Sequence, residues 1–146
     1  MEIDDLSAEV INAAIRIHRE LGPGLLESVY ELVLAGSLSE RGLKIDRQKP
    51  IDIEFEGVRY PAAFRLDLLV GERLVVEVKS VEQLSRAHAK QVLTYLRLTD
   101  QPVGLLLNFS GATMKEGIRR IVNDYRQPQS LSASPRLRVI KSIGDT

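Results

Sequence analysis

Asp67, Glu77 and Lys79 are the residues of this 146-residue chain whose types and spacing could do chemistry together. They lie in one stretch, Asp-Leu-Leu-Val-Gly-Glu-Arg-Leu-Val-Val-Glu-Val-Lys, which reads as a strand, a tight turn and a second strand. Glu77 and Lys79 are two apart, so in a strand they share a face, while Val76 and Val78 point to the other. A strand buried on both faces is ordinarily a continuous apolar run. An acid and a lysine inside such a run are costly unless the charges are paired, solvated or bound to a metal.

The register of the hairpin decides whether the two acids can act together. With a two-residue turn at Gly71-Glu72, Asp67 would face Val76, and the acids would project from opposite faces. With a three-residue loop of Gly71, Glu72 and Arg73, Val70 faces Leu74 and Asp67 lies across from Glu77. A shared acidic site therefore requires an odd loop or an equivalent bulge. Two carboxylates so placed, with the backbone carbonyl of Val78 as a further oxygen, suit Mg2+, with Mn2+ as the substitute. Such a metal polarises a phosphoryl oxygen and acidifies a bound water. Lys79, beside two acids, is held as an ammonium and suits electrostatic and positioning work. The simpler alternative is a cross-strand salt bridge.

Around this hairpin the periodicity predicts an α/β chain with three strands at its centre. Residues 4–21 carry Leu6, Val10, Ala13, Ala14, Ile17 and Leu21 at helical spacing and stop at Gly22-Pro23. His18 sits near that stripe, either as a boundary histidine at a helix C-terminus or as a contact to the site or substrate. Residues 25–41 read as a second helix with Leu26, Val29, Tyr30, Val33 and Leu34 on its apolar face. Glu27 falls in its first turn, where the helix dipole favours a carboxylate. Strands follow at 43–56, with Ile51, Ile53 and Phe55 inward, at 58–70 and at 73–79. Ser80 and Gln83 resemble a capping box for a helix over 81–98 that puts Gln91 and Tyr95 on one face. The apolar run 103–109 is a buried strand, parallel to the third. Residues 113–125 read as a last amphipathic helix, with Ile118, Ile121 and Val122 inward and Arg119 and Arg120 exposed. The Gln/Ser/Pro-rich stretch 127–135 reads as a linker. Residues 137–143 read as a short docked strand or a tail. One domain over 1–126 and a tail over 127–146 are therefore expected.

Composition excludes several classes. Without cysteine there is no disulfide, thiolate zinc site or cysteine nucleophile. No basic start with an apolar run marks a signal peptide, and no stretch nears the ~20 apolar residues of a membrane span, so a cytoplasmic protein is expected. Net charge is zero, but residues 1–60 hold 12 acids and 7 bases, and the remainder holds 8 acids and 13 bases. The basic half begins near the hairpin and could steer a polyanion, although an imbalance this small is also an ordinary solvated surface.

The order of elements with Asp67…Glu77-Val78-Lys79 resembles the PD-(D/E)XK nuclease superfamily. Gly24-Leu25-Leu26-Glu27-Ser28-Val29-Tyr30 is similar to the motif that names its GxxExxY branch. The resemblance runs from about residue 8 to residue 124. It includes His18-Arg19-Glu20-Leu21-Gly22-Pro23-Gly24, Arg65-Leu66-Asp67-Leu68-Leu69-Val70, His88-Ala89-Lys90-Gln91 with Tyr95, and Leu105-Leu106-Leu107-Asn108-Phe109. It implies a restriction-endonuclease-like αβββαβ core with a mixed central sheet. Asp67 and Glu77 match the metal-binding acids, Lys79 the catalytic lysine, and Glu27 an extra acid turned toward the metal. Gln91 and Tyr95 match a site-lining Gln-x-x-x-Tyr element, and Tyr30, His18, Arg65 and His88 fall in the remaining matched segments as site-lining or substrate candidates. Leu66 replaces the proline of the superfamily name, which leaves the acid in place. Lys90 stands where related sequences often carry a small residue, which bears on substrate contacts.

The function so implied is metal-dependent hydrolysis of phosphodiester bonds in DNA or RNA. The alternative is a non-catalytic module that keeps the fold to bind nucleic acid or a protein. The chain is short and lacks an aromatic-rich basic surface for stacking bases, so a homodimer or a partner protein is a further expectation.

Overall fold

A computed structural model describes residues 1–124 and the backbone of 137–139. The elements are α1 (Ile3–Leu21), α2 (Glu27–Glu40), β1 (Ile45–Phe55), β2 (Val58–Val70), β3 (Leu74–Lys79), α3 (Arg86–Thr99), β4 (Val103–Asn108), a 3-10 turn at Lys115–Gly117, β5 (Ile118–Val122) and β6 (Leu137–Val139). The strands form one mixed sheet in the order β5-β4-β3-β2-β1-β6. β3 and β4 are parallel, joined by the α3 crossover, and the other pairings are antiparallel. The linker expected over 127–135 and residues 140–143 of the tail lie outside the described residues.

Each face of the sheet has its own core. Leu68, Val70, Leu74, Val76, Val78, Leu105 and Leu107 pack against α1 and α2, with Val10, Ala13, Ala14 and Leu34 at the contact. Leu69, Val75 and Leu106 face the other way and pack with Val92 and Leu96 of α3. This alternation along β3 and β4 is the period-2 pattern of strands covered by helices on both sides. Gly104 permits the close approach of α3, because a Cβ there would lie 2.8 Å from Val92.

Three expectations are corrected. The helix expected over 113–125 is a 3-10 turn followed by β5, which pairs antiparallel with β4 through Val103↔Val122 and Leu107↔Ile118. β4 would otherwise leave a row of buried backbone groups without partners, and β-branched Ile118, Ile121 and Val122 suit a strand. The central helix begins at Arg86 rather than at 81. Its N-cap is Ser85, in a capping box with His88. Val81 cannot enter a helix because Asn108 holds both its backbone groups: Val81 N donates to Asn108 Oδ1 at 3.0 Å and Asn108 Nδ2 donates to Val81 O at 2.9 Å. On α2, Leu26, Val29 and Val33 face outward, with Leu26 73% exposed, while Tyr30, Glu31, Leu34, Ala35 and Leu38 are buried. A helix apolar on nearly every side carries no stripe by which to choose its inner face.

Smaller departures have similar causes. Leu21 is exposed at the end of α1, and Phe55 is exposed at the end of the β1–β2 hairpin that extends past β3, which pairs only with Leu68–Val70 of β2. The Glu56-Gly57 turn at its tip is as expected, both residues having positive φ.

Candidate metal and nucleic-acid site

The hairpin that carries the acids has the odd loop. β2 ends at Val70 and β3 begins at Leu74, with Val70↔Leu74, Leu69↔Val75 and Leu68↔Val76 in register. Gly71 and Glu72 both take positive φ in the three-residue turn. A Cβ on Gly71 would come within 3.0 Å of Leu6, so glycine suits both the backbone and the space. The next pair in this register is Asp67 with Glu77, and there the backbone ladder stops. The side chains take over: Asp67 N donates to Glu77 Oε2 at 2.8 Å, and Val78 N donates to Asp67 Oδ2 at 2.8 Å. Each carboxylate thus occupies a place that a strand carbonyl would have filled.

Both acids are held above the ordinary carboxylate range. Burial is the main cause for Glu77, which is 3% exposed and pushed up to about 8, and the neighbouring Asp67 charge adds to it. Burial likewise raises Asp67, opposed by the Val78 amide, with Glu31 raising it further and Lys79 lowering it. Lys79 lowers both acids through its charge.

Helix α3 supplies the next contacts. Lys79 Nζ donates to Gln91 Oε1 at 3.4 Å. One turn later Tyr95 stacks on Phe64 of β2, ring centroids 4.4 Å apart. Its hydroxyl is raised by burial first and then by Glu77 and Asp67, so it too lies in the field of the acids. The structure therefore gathers Asp67, Glu77, Lys79, Gln91 and Tyr95.

The other candidates make contacts of their own. Glu27 Oε2 accepts from Ser80 N at 3.1 Å, and Ser80 Oγ donates to Leu25 O at 3.0 Å, which ties the start of α2 to the end of β3. Among the described residues no group of three or more His, Asp or Glu side chains forms a ready metal cluster. Tyr30 is fully buried, stacked on Phe109, and its hydroxyl donates to Gly22 O and accepts from Leu25 N. It shapes the turn before α2. His18 is buried, with Nε2 2.9 Å from Gly111 O, and joins α1 to the loop after β4. His88 accepts from Ser85 N in the α3 cap, and Arg65 Nη1 donates to Gln48 O at 3.3 Å.

Sequence reasoning missed Glu31, Arg47 and Gln48. Glu31 is buried on α2, accepting from Arg47 Nε and Nη2 at 3.2 and 3.0 Å and from Gln48 Nε2 at 2.7 Å. Gln48 Nε2 also lies 3.4 Å from Asp67 Oδ1. Glu31 is one turn after Glu27, a spacing that puts both on one side of α2 and was the available signal.

A family model for the PD-(D/E)XK nuclease superfamily matches residues 4–121. The chain belongs to that superfamily, and its mixed sheet with helices on both faces is the restriction-endonuclease-like fold. No curated protein and no solved structure gives a significant match. No helix among the described residues is long and apolar enough to cross a membrane.

The donor set fits a hard divalent cation. Asp67 Oδ2 and Glu77 Oε2 are engaged by backbone amides, so a metal would meet Glu77 Oε1 and Asp67 Oδ1, the latter carrying the long contact from Gln48. Two adjacent acids disfavoured as anions by burial would be stabilised as anions by a bound cation.

Proposed function

We propose that this chain is a divalent-metal-dependent nuclease of the GxxExxY branch, hydrolysing phosphodiester bonds in DNA or RNA. The observation that carries this reading is the break in the β2–β3 ladder, where Asp67 and Glu77 replace backbone carbonyls beside Lys79. In this reading Asp67 and Glu77 bind the metal, Mg2+ or Mn2+, with the Val78 carbonyl as a further ligand. When bound, the cation supplies a polarised phosphoryl oxygen and a water of lowered pKa.

The chain's own residues do the rest. Lys79 stabilises negative charge on the phosphoryl oxygens and orients the attacking water. Gln91 holds the Lys79 ammonium by its Oε1, and Tyr95 closes the α3 side of the site. Glu27 acts from the rim, where its bond to Ser80 N keeps it near the end of β3.

The test is cleavage of labelled single- and double-stranded DNA and RNA with Mg2+, Mn2+ or chelator, alongside Lys79→Ala and Glu77→Ala. Cleavage that requires metal and falls at least about a hundredfold in both variants is the expected result. No cleavage above the variants with either metal overturns the reading for those substrates. Nucleic-acid binding that persists in chelator without cleavage would point to a binding module instead.

A further inference from the structure

We infer that Gln48, itself held by Glu31, is a positioning residue that sets the Asp67 carboxylate for its cation. The inference rests on the metal-site reading above. Asp67 Oδ2 is fixed by the Val78 amide, so its orientation toward a ligand depends on what holds Oδ1. Among the described residues, the side chain that donates to Oδ1 is Gln48, at 3.4 Å. That contact is long, and the stronger bond of the same Nε2 goes to Glu31 Oε1 at 2.7 Å. Glu31 is in turn fixed by the two Arg47 donors on its other oxygen. A chain of contacts thus runs from Arg47 through the buried Glu31 and the exposed Gln48 to Oδ1 of Asp67.

The backbone at Gln48 supports the same role. Arg47↔Leu68 and Lys49↔Leu66 are paired, so Gln48 stands opposite Asp67, and that pair is absent from the ladder. Gln48 has φ 49°, in the left-handed region that a residue with a side chain enters at a cost. It occupies the middle of β1 rather than a turn, so no change of chain direction calls for it. The left-handed residue coincides with the amide that lies between two carboxylates. Their like charges disfavour each other, as the effect of Glu31 on Asp67 shows, and a shared donor allows both to remain close.

Glycine at this position separates backbone from side chain, because it accepts positive φ without strain and removes the amide. The experiment is titration calorimetry of Mn2+ into metal-free protein, with thermal melts, for wild type, Gln48→Gly, Gln48→Ala and Asp67→Asn. We expect Asp67→Asn to abolish binding. Both Gln48 variants should bind about tenfold more weakly, as for loss of a group that orients a metal ligand. Gln48→Gly should do so with a melting temperature equal to or above wild type, which a merely structural role would not produce. Wild-type affinity in Gln48→Gly overturns the inference and leaves the metal site standing. A wild-type protein that takes up no Mn2+ overturns both.

Discussion

The amide of Asp67 is bonded to the carboxylate of Glu77, at 2.8 Å, where a strand pairing would have put a backbone carbonyl. The sheet thus stores two acids inside its hydrogen-bonding pattern, with desolvation opposing their charge.

Stability of the metal-free protein should fall as pH rises from about 5 to 8. Glu77 goes from 4.5 to about 8 on folding, so between those values the folded state binds the extra proton. A group raised in this way stabilises the fold fully below its unfolded value and loses that contribution as pH passes through the folded one. Asp67 is raised too and acts with the same sign above its own unfolded value. The loss is on the order of a few kcal/mol. Urea unfolding at pH 5.5 and pH 8 should show it. Glu77→Gln, whose carbonyl can still accept from Asp67 N, should flatten the slope and be the more stable protein at pH 8.

Removing the Tyr30 hydroxyl should loosen the entry to α2 without emptying the core. Tyr30→Phe keeps the stack on Phe109 but leaves Gly22 O and Leu25 N without their shared partner. A cost of about 1–2 kcal/mol is expected in chemical denaturation. Faster amide exchange over 22–26 should accompany it. Unchanged exchange there would mean that the turn is held by other contacts.

Gly117→Ala should be among the most damaging single substitutions. A Cβ at that position would sit 2.0 Å from Asn108 O and 2.9 Å from its carbonyl carbon, so backbone would have to move. Overpacking of this kind costs about 1–3 kcal/mol or more. A melting temperature within a degree of wild type would contradict the tight crossing of the 3-10 turn over β4.

Asn108→Ala should unfasten the segment between β3 and α3. The side chain is buried and bonds both backbone groups of Val81, extending the sheet by an amide where the chain has left it. Loss of both bonds should cost about 2–3 kcal/mol. Exchange protection at the Val81 amide should fall, while the interior of β4 keeps its protection.

Much of this was legible because it depends on local pattern. The stripe Leu6, Val10, Ala13, Ala14, Ile17 is the buried face of α1, since a 3.6-residue period needs no knowledge of the partner. Period 2 gave the condition on the hairpin, that only an odd loop after Val70 sets Asp67 across from Glu77, and the structure has that loop. The parallel pairing of β3 and β4 followed from two apolar runs separated by a helix-length segment. Where a segment was apolar on all sides or only five residues long, the pattern was silent. Residues Ile118–Val122 fit helix or strand equally, and the open edge of β4 chose the strand.

By itself, then, the sequence determined the reactive types and their spacing: two acids and a lysine on adjacent strands, with Gln91 and Tyr95 one helical turn apart. Tertiary structure alone decided what surrounds them. It buried Glu31 rather than Leu26 or Val29, because α2 lies where Tyr30 and Leu34 reach the core. It put Gln48 opposite Asp67 at positive φ, and it moved the helix start to Ser85 because Asn108 had claimed Val81. Such choices depend on groups far apart in the chain competing for the same hydrogen bonds and the same space, and no local period records the outcome.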